Sequence, residues 1–405
     1  MRLGVVGFGE RIRGLVYGPF REVEPGIRVV GVVDPDEKGV RKRLSESDSK
    51  ETVFYETLEE MVRKARLDAL AIGPRCNLHT PYALKAAKFD IPLYLEKPVA
   101  VSMKQANDLE DAFEKSKCKV VVSFPLRTSP LCVFAGDLIR NGAVGNPVHI
   151  MAWNYVPYGT VYWEELYRDY KITGGLFLQK ATHDFDYMSY LMDSPITRVG
   201  AMATFQKVFG GKKPSGLVCS KCGETDTCLE SPVNRKRNNS GWHEKDHNCV
   251  YSIDCGTIEK GTNEDASSAV VEFASGAHGI YTQVFFSRRD AASRGSTVSG
   301  YLGTVEFDWY ENSIRHIRHH KPFSDTARAG SGLSHFGGDL KLAYDFFNLV
   351  KGKGQPRATI WAGIQSVYTC LAARESALKN RFVKVRQVGQ SAYAKVSADK
   401  SGEGG

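Results

Sequence analysis

Short apolar strands alternate with helix patterns through the first 125 residues, and this alternation restricts the fold more than any other feature. Leu3–Val6, Ile27–Val33, Asp68–Ile72, Ile91–Leu95 and Lys119–Phe124 read as strands. Helix patterns start near Ile12 and run from about Pro81 to Lys88. Two capping boxes, Thr57-x-x-Glu60 and Ser102-x-x-Gln105, open two more helices. Apolar strands separated by helices predict a parallel sheet covered on both faces. Ligands of such sheets bind at the carboxyl ends of the strands.

Beyond about residue 125 the period changes. Val148–Tyr155, Ser268–Phe273, His278–Phe285 and Gly303–Asp308 alternate like half-buried strands, with helix patterns near 130–140, 175–192, 337–350 and 360–379. Residues 126–390 therefore read as an α+β domain with a large, mostly antiparallel, open-faced sheet. Residues 207–262 break the pattern, being rich in Gly, Lys, Asn and Cys, and read as an insertion. The tail 391–405 is small, polar and expected to be flexible. The chain shows no internal repeat.

Composition narrows the class. Of 405 residues 42% are hydrophobic and 25% charged, the balance of an ordinary globular protein. No run of 18 apolar residues suggests a membrane span. No secretory signal is visible, so a cytoplasmic location is expected. The net charge of +8 is scattered, with short clusters at Arg41-Lys42-Arg43, Lys212-Lys213 and Arg235-Lys236-Arg237. A nucleic-acid surface would need a denser stripe with interleaved aromatics, so no nucleic-acid partner is expected.

Gly7-Phe8-Gly9 follows the first strand and opens the first helix. Glycines at such a turn let the backbone approach a pyrophosphate seated at the helix N-terminus. Arg11 follows at once, and Ile12 stands where a G-x-G-x-x-G fingerprint has its third glycine. Asp34 ends the second strand, 25 residues after Gly9, where a carboxylate accepts from a ribose hydroxyl. An acid there repels the extra phosphate of NADP, so NAD is the expected cofactor.

The order and spacing of several short pieces resemble the Gfo/Idh/MocA family of sugar and inositol oxidoreductases. They are Gly7-x-Gly9, Asp34-Pro35, Gly73-Pro74-Arg75-Cys76-Asn77-Leu78-His79, Glu96-Lys97-Pro98, Arg127-x-x-Pro130, and Gly174-Gly175 leading to His183-Asp184-Phe185-Asp186. The resemblance implies a Rossmann-type domain over residues 1–125 that binds NAD. Gly73, Pro74, Asn77 and His79 would line the nicotinamide side, with Arg127 also near the cofactor. Lys97 would hydrogen-bond the reacting sugar oxygen, and Glu96 would hold the cofactor or orient Lys97. The broad sheet of the second domain often serves oligomerisation in this family, so a dimer or tetramer is expected.

Many relatives carry Asp-x-x-x-His on the helix after Gly174-Gly175. Here the acid position is Gln179, and Lys180 precedes His183 by three residues. Spacings of three and four put Gln179, Lys180 and His183 on one helix face. Alcohol oxidation needs a base for the hydroxyl proton while hydride leaves the same carbon, and a histidine suits that role. An ammonium from Lys97 or Lys180 would keep the imidazole neutral. Asn154 and Trp163 lie where a sugar could bond or stack, although core packing explains the aromatic almost as well.

Nine cysteines occur, and five fall between Cys219 and Cys255. Cys219-x2-Cys222-x5-Cys228-x20-Cys249 suggests a closed structural zinc site, with Cys255, His243 and His247 as competing ligands. Disulfides, free thiols and an iron–sulfur cluster are the alternatives. Zinc would give a fold to an insertion that lacks an apolar core of its own.

The sequence thus predicts an NAD-dependent oxidoreductase. It would act on a ring hydroxyl of a sugar, glycoside or cyclitol, with His183 as acid/base and Lys97 steadying the oxygen. Lys97, Lys180, His183, Asn154 and Trp163 would contact the substrate. The same site could run a redox-neutral glycosidase that oxidises, eliminates, hydrates and re-reduces. A non-catalytic NAD sensor would need neither Lys97 nor His183.

Overall fold

The computed structural model describes residues 1–238, 246–252, 262–329 and 334–389. They fall into two compact units, the first from residues 1–133, 334–368 and 386–389 and the second from residues 134–329 and 369–385. The tail 391–405, His243 and Cys255 lie outside the described residues.

The first unit holds a six-stranded sheet. Its strands are β1 (Arg2–Val6), β2 (Arg28–Val33), β3 (Val53–Phe54), β4 (Ala69–Ile72), β5 (Leu93–Leu95) and β6 (Val120–Val122). The order is β3-β2-β1-β4-β5-β6, with every pair parallel. All residues of β4, β5 and β6 are buried, as expected of strands covered on both faces. Helices α1 (Glu10–Leu15), α2 (Glu37–Arg43), α3 (Leu58–Lys64), α4 (Cys76–Ala86) and α5 (Met103–Glu114) connect them. Thr57 and Ser102 cap α3 and α5 through their side chains, so both capping boxes open helices where their spacing places them. The later helix Gly338–Val350 belongs to this unit and brings Phe346 and Phe347 against Phe20 and Tyr94. This doubly wound order reverses direction between β1 and β4, the switch point where such sheets take their ligands.

The second unit is built on nine strands. They are β7 (Pro147–Tyr155), β8 (Ile196–Thr204), β9 (Ala266–Phe273), β10 (His278–Val284), β11 (Ser293–Gly300), β12 (Gly303–Asp308), β13 (Ser313–Arg318), β14 (Ser324–Arg328) and β15 (Val383–Lys384). Their order is β14-β13-β12-β11-β7-β10-β9-β8-β15, antiparallel throughout except for β7 beside β10. Alternate residues divide between two faces. Ala152, Asn154, Tyr281, Gln283, Arg294 and Ser296 are buried on one. Met151, Tyr155, Met202, Val270 and Ile280 are exposed on the other. The buried face carries helices α6 (Leu176–Gln179) and α7 (Ala181–Leu191), which break at Lys180.

The insertion has an apolar anchor after all. Phe209 and Val250 join Val156, Tyr162, Trp163, Leu176 and Phe285 in one buried cluster. Asp265 accepts hydrogen bonds from the backbone N–H groups of Lys207, Val208 and Phe209 at 2.7, 3.0 and 3.1 Å. Arg235 is buried against Glu164 at 2.5 Å and Glu230 at 2.9 Å. Zinc is not supported as the organiser. Cys219, Cys222, Cys228 and Cys249 are free thiols. Among the described residues no group of three or more His, Cys, Asp or Glu side chains could hold a metal ion. The Cys219 sulfur instead lies 3.7 Å from both ring nitrogens of His247. The physical need for a metal was the supposed lack of a core, and Phe209 and Val250 supply that core.

Candidate nucleotide and carbohydrate sites

At the switch point of the first unit, Gly7 takes φ +78°, and a Cβ there would lie 2.5 Å from the Pro74 Cα. Only glycine lets the turn after β1 sit against the loop after β4. Gly9 caps α1 with no side-chain hydrogen bond to its first turn, leaving those backbone N–H groups for a ligand's phosphate. The missing third glycine has a structural counterpart. Ile12 is buried and fills the space over Gly73, where a Cβ would come within 2.5 Å of the Ile12 Cγ1. The close approach is kept, with its glycine moved from the helix to the end of β4.

Asp34 closes β2. Its Oδ2 accepts from the Phe8 N–H and its Oδ1 from the Asp36 N–H, both at 2.9 Å. A carboxylate has about four lone-pair positions, so each oxygen keeps acceptor capacity for a ribose hydroxyl. Of the neighbouring basic cluster, Arg41 pairs with Glu37, and the Arg43 Nε donates to the Phe8 carbonyl at 3.2 Å.

Arg11 is committed within the protein. It donates to Glu96 at 2.9 Å, to Ser123 at 3.1 Å and to both oxygens of Asp339 at 2.8 and 2.7 Å. Burial pushes the Asp339 carboxyl up, but Arg11 and His335 outweigh it and hold the group well below the usual range. Glu96 is therefore fixed by Arg11 at the end of β5, next to Lys97. Lys97 is half-buried and close enough to Cys76 to oppose the burial that raises that thiol to about 11.

His79 is buried on α4, with Nδ1 2.8 Å from the Pro98 carbonyl and Nε2 3.1 Å from the Pro74 carbonyl. Burial pushes it below its ordinary value against the pull of both carbonyls, and a neutral ring, with a single N–H, donates to one of the two. The Asn77 backbone carbonyl accepts from Gln105, while its side-chain oxygen is buried without a hydrogen bond. Arg127 donates to the Arg357 carbonyl at 2.9 Å.

In the second unit Gly174 and Gly175 take φ 73° and 91° and turn the chain into α6. Gly175 brings no capping side chain of its own. Glu264, from the far end of the insertion, accepts the Leu176 N–H at 2.8 Å and acts as the cap. Arg374 donates to the Gly174 carbonyl at 3.2 Å and lies over the Tyr170 ring. Gln179, Lys180 and His183 follow, all buried. The Lys180 Nζ donates to the Tyr158 hydroxyl at 2.6 Å and lies 4.7 and 5.6 Å from the Tyr158 and Tyr162 ring centroids.

Beside His183, Asp184 takes a two-pronged pair from Arg294, at 3.0 and 2.7 Å, and a hydrogen bond from the Tyr281 hydroxyl at 2.9 Å. This fixes the first turn of α7 to the sheet. Asn154 is 2% exposed, and its side-chain N–H group has no hydrogen-bond partner among the described residues. Trp163 is 1% exposed and packs on Phe209 and Phe285, the core position that competes with sugar stacking.

The structure thus gathers the sequence's candidates into two local groups. Gly7, Phe8, Gly9, Arg11, Ile12, Asp34, Gly73, Pro74 and Glu96 meet at the switch point, while Lys180, at the break between α6 and α7, is joined to His183 by one turn of backbone. Sequence reasoning missed Tyr158, Arg294, Glu264 and Asp339. Each gains its role from a partner more than 20 residues away, and no local spacing announces it.

Residues 1–124 match a family model described as "Oxidoreductase family, NAD-binding Rossmann fold". Residues 134–306 match the GFO/IDH/MocA C-terminal domain. The chain belongs to the Gfo/Idh/MocA oxidoreductase family. Among curated Gfo/Idh/MocA relatives, the rhizopine catabolism protein MocA of Rhizobium meliloti is 27% identical over 52% of this chain and 62% of its own length. The myo-inositol 2-dehydrogenase of Thermotoga maritima is 22% identical over 50% of this chain and 58% of its own length. The matches therefore span less than two thirds of these two relatives. A solved levoglucosan dehydrogenase, in complex with NADH and levoglucosan, superposes with TM-score 0.73 at 16% identity, over 96% of this chain and 100% of that one. That likeness extends the Gfo/Idh/MocA fold to nearly the whole chain. No helix among the described residues is long and apolar enough to cross a membrane.

Proposed function

We propose that this protein is an NAD-dependent oxidoreductase acting on a ring hydroxyl of a sugar, glycoside or cyclitol. The observation that carries the reading is a buried ammonium one helical turn from a buried imidazole, Lys180 and His183. Burying charge and titratable groups is costly, and folds concentrate that cost where they do chemistry. NAD, when bound, supplies the hydride acceptor. Gly7, Gly9 and the first turn of α1 would hold its pyrophosphate, and Asp34 its adenosine ribose. The ribose acid favours NAD over NADP.

His183 takes the proton of the hydroxyl being oxidised, and Lys97 steadies the oxygen as negative charge develops on it. Arg11 orients Lys97 indirectly by fixing Glu96. Asn154 offers an unused buried donor to a second substrate hydroxyl. The names of the relatives, an inositol and a levoglucosan dehydrogenase among them, point to the same substrate class. The exposed Met151, Met202, Val270 and Ile280 on the open sheet face supply an apolar surface for self-association.

The test is to incubate the full chain with NAD+ and a panel of inositols, aldoses, anhydrosugars and aryl glycosides. NADH and released aglycone are followed separately. NADH formation with at least one member supports the dehydrogenase. Aglycone release without net NADH replaces it with the redox-neutral glycosidase, and neither signal across the panel counts against both.

A further inference from the structure

Tyr158 lies three residues beyond β7, on a loop that no motif marks. Its hydroxyl accepts the hydrogen bond from Lys180, which is 7% exposed. Among the described residues this is the hydrogen bond that the Lys180 ammonium makes, and its other close neighbours are the faces of Tyr158 and Tyr162. The other buried cation of the region, Arg294, is already matched by Asp184. The positive charge of Lys180 is thus aimed at one oxygen, that of Tyr158. Lys180 also stands one helical turn before His183, whose backbone N–H donates to the Lys180 carbonyl. It therefore touches Tyr158 and stands one backbone turn from the proposed base.

We propose that Tyr158 is the group on which the substrate's proton comes to rest, with Lys180 as its positioning residue. The inference rests on the dehydrogenase reading and deepens it. In oxidation NAD, when bound, would take the hydrogen of the substrate C–H bond together with its electron pair. The O–H bond breaks as the carbonyl forms, and the proton passes by way of His183 to the Tyr158 phenolate, which becomes a phenol. In reduction the phenol returns it. No further oxidant or base is required.

Charge decides where the proton stays. Left on His183, it would add a second positive charge one turn from Lys180. Placed on a Tyr158 phenolate, it would neutralise an anion beside the Lys180 ammonium, whose Nζ lies 2.6 Å from that oxygen. Burial pushes the Tyr158 phenol up, but Lys180 and Arg294 together outweigh it, with Asp184 opposing them, and the net direction is down. Tyr310 is a further titratable neighbour, raised by burial and by Tyr158, and Tyr162 lies on the other side of Lys180. The proton partner comes from the loop after β7 instead of from the helix.

Two readouts test the proposal. The first needs no substrate. Phenolate absorbance is followed during alkaline titration of the wild type, Tyr158→Phe and Lys180→Met, all as full-length protein. The wild type minus Tyr158→Phe difference should show a tyrosine ionising below the ordinary range, and Lys180→Met should move it upward. A difference showing only ordinary ionisation, or one that Lys180→Met leaves in place, overturns the proposal. The second readout is the pH profile of kcat on whichever carbohydrate the panel identifies. Tyr158→Phe should lower kcat by about 10²-fold or more and change the profile, with NAD affinity retained. An unchanged kcat and profile overturns the proposal as well. Failure of the whole panel with the expected titration would reject the dehydrogenase reading and leave the Tyr158–Lys180 couple standing.

Discussion

Ile12 and Gly73 are a matched pair, the side chain of one filling the space where a Cβ on the other would lie 2.5 Å from it. A Gly73→Ala substitution must push Ile12, and with it the start of α1, off the end of β4. Overpacking of this kind costs about 1–3 kcal/mol. The variant should melt below the wild type and bind NAD more weakly, because α1 carries the phosphate-facing turn. Adding Ile12→Ala should restore part of the lost affinity. Thermal melts and cofactor fluorescence titrations on both variants check this. An unaltered Gly73→Ala protein would show that the contact is slack.

Asp34 holds the Phe8 N–H as well as the expected ribose. Asp34→Ala should therefore weaken NAD binding by about 1.5–3 kcal/mol, the range for a hydrogen bond to a charged group. Asp34→Asn should lose less NAD affinity and gain relative affinity for NADP, since the repelling charge is gone while an acceptor remains. Titration of each protein with both cofactors decides the point, and tighter binding of NADP than NAD by the wild type would reject the assignment.

Burial raises the Glu264 carboxyl to about 6 from 4.5, against the opposing pull of the Leu176 N–H and Arg374. The folded chain thus holds this proton more tightly than the unfolded chain does. The contribution to stability is fully present below the unfolded value and is lost as pH rises through about 6. A shift of this size corresponds to about 2 kcal/mol. Glu264→Gln carries no titrating group, so its Tm should gain on the wild type between about pH 4.5 and 6 and then run parallel. Parallel curves across the whole range would mean that Glu264 is ionised without penalty.

The insertion is expected to stand or fall with its aromatic anchor. Phe209→Ala removes a buried ring packed on Trp163 and should cost about 3–5 kcal/mol. Cys219→Ser should cost less, because it exchanges a thiol for a hydroxyl beside the His247 ring without opening a large cavity. Denaturant unfolding of the two variants compares them. A larger loss in Cys219→Ser would return the organising role to the cysteines.

Much of the first unit is legible because its signals are local. Buried strands such as Ala69–Ile72 are continuous apolar runs, and Thr57 and Ser102 announce the helices they cap. The second unit is harder to read. β11 (SRGSTVSG) is almost all small and polar and β8 (ITRVGAMAT) mixes apolar with polar residues without strict alternation, so neither announces itself as a strand. What reads as one helix over 175–192 breaks at Lys180, whose side chain is tied to Tyr158 on a remote loop. In the candidate site, residues within a motif are legible one by one. The partners that commit them, Asp339 for Arg11 and Arg294 for Asp184, are set by the tertiary fold alone. The zinc expectation, which the described residues do not support, rested on a missing core, and Phe209 and Val250 look isolated in sequence and meet their core only in space.

Hydride transfer itself is tested most directly by isotope. A substrate found with the panel is labelled with deuterium at the ring carbon that is oxidised, and the cofactor recovered after turnover is weighed by mass spectrometry. The account predicts one deuterium carried into the reduced cofactor. It also predicts that His183→Ala lowers the rate by roughly 10²–10⁴-fold, with Lys97→Ala similarly impaired and NAD affinity little changed in His183→Ala. Turnover of the labelled carbohydrate with no deuterium in the cofactor, or undiminished transfer in His183→Ala and Lys97→Ala, would contradict it.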